Sequence, residues 1–178
     1  MNVANNKRKK ESKQKIMNVF VNELQTRDVN EITVTDICKL ADINRSTFYA
    51  NFIDIYDLVD QINKIMLEMF LDIYKEESTE KKHSYDFLKL FKHIKENQIF
   101  YKTFFKLNTN FDKSFFMYDL NSEMKRFYPN NEFIEYHIDF FEAGLNAVIK
   151  RWLNTGCEES PEEIESIIKS EYKKRSEL

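Results

Sequence analysis

An all-α fold is predicted for this 178-residue chain by three features: few chain breakers, apolar residues at helical spacing, and capping signatures at the junctions. Only two Gly and two Pro stand among abundant Lys, Glu, Ile, Leu and Phe. Such a composition favours helices joined by short turns. The length allows one sizeable core, or a small module joined to a larger domain.

From Ser12 to Gln25, the positions Ile16, Met17, Phe20, Val21 and Leu24 recur at helical spacing and predict an amphipathic helix with one buried stripe. After the linker "TRDVNEI", Thr33 and Asp36 form a Thr-x-x-acid pattern, in which the hydroxyl caps free amides and the acid favours the positive helix end. A short helix through Ala41 follows, expected to bury Val34, Ile37, Cys38 and Leu40. Asp42 and Ile43 break the pattern, and Asn44 caps a third helix from Arg45 to about Asn51.

In that third helix Phe48 and Phe52, four apart, share an inward face with Ile43. Ser46 and Ala50 then point outward, flanked by Thr47 and Tyr49, with Arg45 on the exposed first turn. Two short helices at a tight turn make a helix-turn-helix, whose second helix offers its N-terminal side chains to base edges in a major groove. Capped short helices also occur in helical proteins that never touch nucleic acid, so capping by itself does not separate the two readings.

The formal net charge of −3 argues against a nucleic-acid partner until its distribution is read. Residues 1 to 52 hold nine Lys/Arg against six Asp/Glu, and the remainder eighteen against twenty-four. The positive charge gathers at Lys7, Arg8, Lys9, Lys10, Lys13 and Lys15. This is either an arm that lies along a phosphate backbone or a solvated, frayed terminus.

The segment "ITVTDICKLADINRSTFYANFIDIYDLVDQI" resembles the DNA-binding region of the tetracycline-repressor (TetR) family of bacterial transcription regulators, with the likeness running from residue 12 to 62. Many positions agree together: Ile32, Val34, Ile37, Ala41, Ile43, Thr47, Phe48, Tyr49 and Phe52, then Asp54 and Leu58 at the start of a long fourth helix. The resemblance implies that Thr33 and Tyr49 contact phosphates, that Arg45, Ser46 and Thr47 approach bases, and that Asn51 adds a backbone contact. Asn44, Lys9, Lys10 and Lys13 complete the expected DNA-binding set. The chain departs from the family at Asp42, where a turn Gly is usual, and at Ile53 and Ile55, often Lys in relatives. Asp tolerates the left-handed conformation better than most residues. The two Ile imply weaker backbone anchoring, or a degenerate DNA-binding unit.

Asp54 with Asp57 predicts a cap for a helix from Ile55 to Glu77 that enters a second domain, giving 1–53 as the DNA-binding domain and 54–178 as an effector-binding and dimerisation bundle. Beyond Ser84, two aromatic-rich helices meet near Asn97, and a further helix spans Lys113 to Phe127. From Glu132 to Asn154 one helical face carries Ile134, Ile138, Phe141, Leu145, Val148 and Trp152, while a second carries Phe140, Ala143, Gly144, Ala147 and Arg151. A helix apolar on two sides is buried on two sides. Gly156 terminates it, and "SPEE" restarts the chain with Ser160 as cap and Pro161 at the first helical position.

In the family the last two helices commonly form a four-helix dimer interface. That role is expected here for Phe140, Ala143, Gly144, Ala147, Arg151, Ile164, Ile167 and Ile168, the alternative being closure of the monomer's own core. The stretches "FKHIKENQIFYKTFF" and "GLNAVIKRWLNTG" also resemble a subgroup related to the dihydroxyacetone-kinase operon activator. Family members usually hold a ligand in this domain. Phe87, Phe91, Phe100, Phe104, Phe141 and Trp152 are the candidate lining for a small apolar or amphipathic ligand, with plain core as the other reading.

Nothing points to catalysis. His83 lies in a charged turn, His93 and His137 lie on helices where a satisfied or partly exposed imidazole is the common case, and there is no Gly-rich phosphate loop, nucleophile elbow or paired-His metal motif. Cys38 and Cys157 are too isolated for a disulfide framework or zinc site. No run of about 18 apolar residues and no secretory leader is seen, so no membrane insertion and a cytoplasmic location are expected. The expectation is a cofactor-free, non-enzymatic homodimer that binds a palindromic double-stranded DNA operator, most simply as a repressor released by a small molecule. The alternative is control by a protein partner at the C-terminal domain.

Overall fold

The computed structural model describes residues 3–74, 87–107 and 132–173, and every regular element among them is helical. In chain order these are α1 (Val3–Glu23), α2 (Val34–Leu40), α3 (Arg45–Tyr49), α4 (Ile55–Tyr74), α5 (Phe87–Glu96), α6 (Gln98–Leu107), α7 (Ile134–Asn154) and α8 (Pro161–Lys173). A 3₁₀ turn at Val29–Glu31 links α1 to α2. The expected end of α4 at Glu77, the helix from Lys113 to Phe127, and His83 lie outside the described residues.

Two compact units emerge. Among the described residues the first comprises 3–72 and 102–107, and the second 73–74, 87–101 and 132–173. In the first, α1, α2 and α3 pack on one another. Ile16 and Phe20 of α1, Leu24 just beyond it, and Ile37, Phe48 and Phe52 are all at or near full burial. Leu58 and Ile62 of α4 are buried in the same way.

Helix ends are set as the sequence predicts, except for the start of α1. α2 opens on a reciprocal capping box: Thr33 Oγ1 accepts from the Asp36 amide at 3.2 Å, and Asp36 Oδ2 accepts from the Thr33 amide at 3.1 Å. It closes in a Schellman turn, in which the Ile43 amide donates to the Cys38 carbonyl at 3.0 Å and the Asp42 amide to Lys39 at 3.3 Å. That turn requires a left-handed residue, and Asp42 supplies it with φ of 49°. α1, by contrast, begins at Val3 and not Ser12, because the Lys, Arg, Glu and Gln of the basic segment are good helix formers with no breaker among them.

Leu40 is a second correction. Expected inside, it is 53% exposed. The stripe formed by Ile37, Cys38 and Ala41 fixes the phase of α2, and Leu40 falls roughly 110° around from its centre.

In the second unit α5 packs on α8. Leu90, Phe91 and Ile94 of α5 are buried, as are Ile138, Leu145, Ile149 and Trp152 of α7. Asn97 breaks α5 from α6 where the sequence predicts it. α7 ends in another Schellman turn, with the Cys157 amide on Trp152 O at 2.8 Å and Gly156 at φ of 75°. Cys157 is itself left-handed at φ of 58°, which no local pattern announces. Ser160 and Glu163 form the capping box that starts α8. Cys38 and Cys157 are both buried.

Candidate nucleic-acid interface

α3 is held by its N-cap and by its buried aromatics. Asn44 Oδ1 accepts from the Thr47 amide at 2.9 Å, the Ser46 hydroxyl at 2.6 Å and the Thr47 hydroxyl at 2.8 Å. The two hydroxyl protons therefore point at Asn44. Their remaining lone pairs turn outward as acceptors. Beneath them Phe48 is fully buried, with Phe52 at 5.7 Å and the edge of Tyr49 at 5.6 Å.

The outer side of α3 presents Arg45, Ser46, Tyr49 and Ala50, all exposed, with Thr47 half-buried. Tyr49 is 56% exposed although its ring edge rests on Phe48. Arg45 Nη2 donates to Thr35 Oγ1 at 2.6 Å, so α2 holds the guanidinium over the first turn of α3. Thr35 is absent from the expected DNA-binding set. A polar exposed residue on α2, ten positions before an Arg, carries no local signal of that pairing.

Thr33 is exposed and fully engaged in the capping box. Asn51 is turned inward: its Nδ2 donates to Thr47 O at 2.8 Å and to Ser12 Oγ at 3.3 Å, tying α3 to α1, while its Oδ1 is buried without a partner. Lys9 and Lys10 are exposed on α1 together with Lys7, Arg8 and Lys15. Lys13 is half-buried, with Nζ 5.8 Å from the centre of the Phe52 ring. The basic segment is thus helical and continuous with the three-helix unit.

Arg27, read from sequence as linker, braces that unit. It donates to Glu23 Oε2 at 2.9 Å, to Asp36 Oδ2 at 3.3 Å and to the Glu31 carbonyl. Hydrogen bonds from the Thr33 amide and hydroxyl, with a smaller contribution from Arg27, hold the Asp36 carboxyl below the usual carboxylate range.

The other candidate residues lie elsewhere. Phe91 and Trp152 are buried in the second unit with rings 5.9 Å apart, and Phe87 stacks on Phe91 at 6.3 Å and meets Phe141 at 5.9 Å. Phe100 packs against Tyr101 at 4.9 Å, whereas Phe104 belongs to the first unit. Of the residues expected at a dimer interface, Phe140, Ala143, Gly144, Ala147, Arg151 and Ile167 are exposed. Ile164 and Ile168 are buried within the single chain, because α8 turns them into its own bundle, where it packs on α5.

No helix among the described residues is long and apolar enough to cross a membrane, and none of their His, Cys, Asp and Glu side chains cluster to hold a metal ion. Residues 82–171 match the TetR-type family described as the transcriptional regulator C-terminal region. The HTH-type dhaKLM operon transcriptional activator DhaS of Lactococcus lactis subsp. lactis (strain IL1403) is 29% identical over 122 residues, which cover 68% of this chain and 64% of that relative. The match therefore spans less than two thirds of the relative's length.

Proposed function

Because the chain belongs to the TetR family of transcriptional regulators, we propose that it binds a palindromic DNA operator as a homodimer and represses the adjoining promoter. The observation that carries this reading is the two-sided α3: Phe48 is buried while Arg45, Ser46 and Tyr49 face outward. Residues 1–53 act as the DNA-binding domain and 54–178 as the effector and dimerisation domain, in the cytoplasm. Tyr49, Lys9 and Lys10 engage phosphates, Thr33 caps α2 behind them, and Arg45, Ser46 and Thr47 read bases. Asn44, Asn51 and Lys13 hold the helices that present them.

Phe140, Ala143, Gly144, Ala147, Arg151 and Ile167 form the surface a second copy covers, backed by Ile164 and Ile168. A small molecule bound in the C-terminal domain near Phe87, Phe91, Phe100, Phe141 and Trp152 releases the operator by changing the separation of the two α3 helices. One relative is named an activator, which favours activation as a second reading of the sign, with a protein partner at the C-terminal domain in place of the small molecule.

Footprinting of the full chain on genomic fragments tests the proposal. Two protected half-sites centred about one helical turn apart, 34–36 Å, are expected; a folded protein that protects no fragment overturns it.

A further inference from the structure

On the inward side of α7 two buried side-chain oxygens have no hydrogen-bond partner among the described residues. Asn146 is 5% exposed, and its Oδ1 has no hydrogen-bond partner. Glu142, one turn earlier, places Oε1 in the same condition. Both lie on the helix face of Ile138, Leu145 and Ile149, which are almost fully buried. Side chains four apart on a helix are neighbours, so the two oxygens can converge on one point.

Burial pushes the Glu142 carboxyl up, and Asp139 pushes it the same way. Asp139 is the one charge acting on it among the described residues. Orphaned buried acceptors are uncommon and call for a missing donor. An ammonium group fits both demands. It carries three N–H donors and no acceptor, it cancels the carboxylate charge, and its bonds to an ionised oxygen are the stronger kind.

We propose that Glu142 and Asn146 form a binding site for a small primary amine, with the ammonium bridging Glu142 Oε1 and Asn146 Oδ1 and the alkyl body on the apolar face of α7. The proposal deepens the effector reading above and rests on it only for the consequence to DNA binding.

Thermal unfolding of the full chain with n-hexylammonium chloride is the test, with 1-hexanol, n-hexyltrimethylammonium and sodium chloride at matched concentration as comparisons. The primary amine is expected to raise the midpoint by about 2–4 °C at saturation. The alcohol lacks the charge and the quaternary ion lacks the N–H donors, so each gives less than half that rise. Glu142→Gln and Asn146→Leu each abolish the rise, and Asn146→Leu also raises the midpoint of the free protein, because the orphan acceptor is gone.

An equal rise with all four additives, or none with the amine, overturns the site. So does a loss of folding in Asn146→Leu accompanied by an undiminished rise in Glu142→Gln, which makes Asn146 a structural residue and leaves the amine without its carboxylate. DNA affinity is measured separately. A thermal rise without operator release leaves the site standing and overturns small-molecule release by amines. Operator release by another compound, with no thermal rise from the amine, does the reverse.

Discussion

Arg45 and Thr35 are joined by a 2.6 Å hydrogen bond from the guanidinium to the hydroxyl, linking the first turn of α3 to the exposed side of α2. If Arg45 reads bases as proposed, the bond limits where it can reach before DNA arrives, so part of the ordering cost of recognition is met in the free protein. Thr35→Val keeps the side-chain shape and removes the acceptor. It is expected to weaken binding by about 5-fold, near the net worth of a typical hydrogen bond, and to broaden preference at the bases assigned to Arg45. Arg45→Ala is expected to cost about 1–3 kcal/mol and abolish that preference. In a double-mutant cycle by fluorescence anisotropy the two effects are non-additive; additive effects would sever Thr35 from recognition.

Tyr49→Ala separates positioning from reading. With Tyr49 on phosphate, affinity falls for all sequences alike and sequence preference is kept. Titrations on an operator and on a scrambled duplex at several salt concentrations measure this. A change confined to the operator would place Tyr49 at a base.

The α2–α3 turn is strained at one residue. Asp42 holds a left-handed conformation at φ of 49° that glycine adopts without steric cost. Asp42→Gly is expected to stabilise the protein by up to about 1 kcal/mol in urea unfolding, less the entropy glycine gains when unfolded. A clear destabilisation would mean that the Asp42 side chain contributes more than its backbone costs.

Acid should loosen α2 and α4 at their starts. Asp36, bonded by Thr33, and Asp57, bonded by Gln61 and the Ile53 amide, are both held below the ordinary carboxylate range. A carboxylate with a depressed folded pKa contributes stability above its unfolded value, near 4, and that contribution is lost as pH falls through the folded value. Thermal midpoints should therefore drop below about pH 4, and Thr33→Ala should flatten the drop while costing about 0.5–2 kcal/mol at neutral pH. An unchanged pH profile in Thr33→Ala would show that the box does not control the acid response.

Gly144 tests the proposed dimer. A Cβ built there meets nothing within 4 Å, so the single chain has room for a larger side chain. Phe140 on the same face is 60% exposed. Gly144→Leu is expected to leave helicity intact and shift the protein to monomer in sedimentation velocity, because a closely approaching helix would collide with it. A dimer of unchanged affinity would move the interface elsewhere.

Local chemistry made much of this legible. The pairs Thr33–Asp36 and Ser160–Glu163 act within three residues, so a capping box is written in the chain itself. Asn97, Asp42 and Gly156 likewise mark turns by their own conformational preferences. What escaped depends on partners distant in sequence or on helix phase. Arg27 looks like linker until Asp36 folds back to it. Leu40 reads as core until Ile37 and Cys38 set which side of α2 is inside. Glu142 and Asn146 carry no local signal, because the apolar residues around them define the face on their own and only packing puts the polar pair within it. The basic segment was read for its charge, and its helix propensity extended α1 to Val3.

The central claim is that α3 reads a specific sequence twice, once from each copy. Selection of bound duplexes from a random pool by the purified full chain at moderate salt tests it most directly. An enriched palindrome with half-sites about one helical turn apart is expected, with loss of that motif in Arg45→Ala. A folded, dimeric protein that enriches no motif would contradict it.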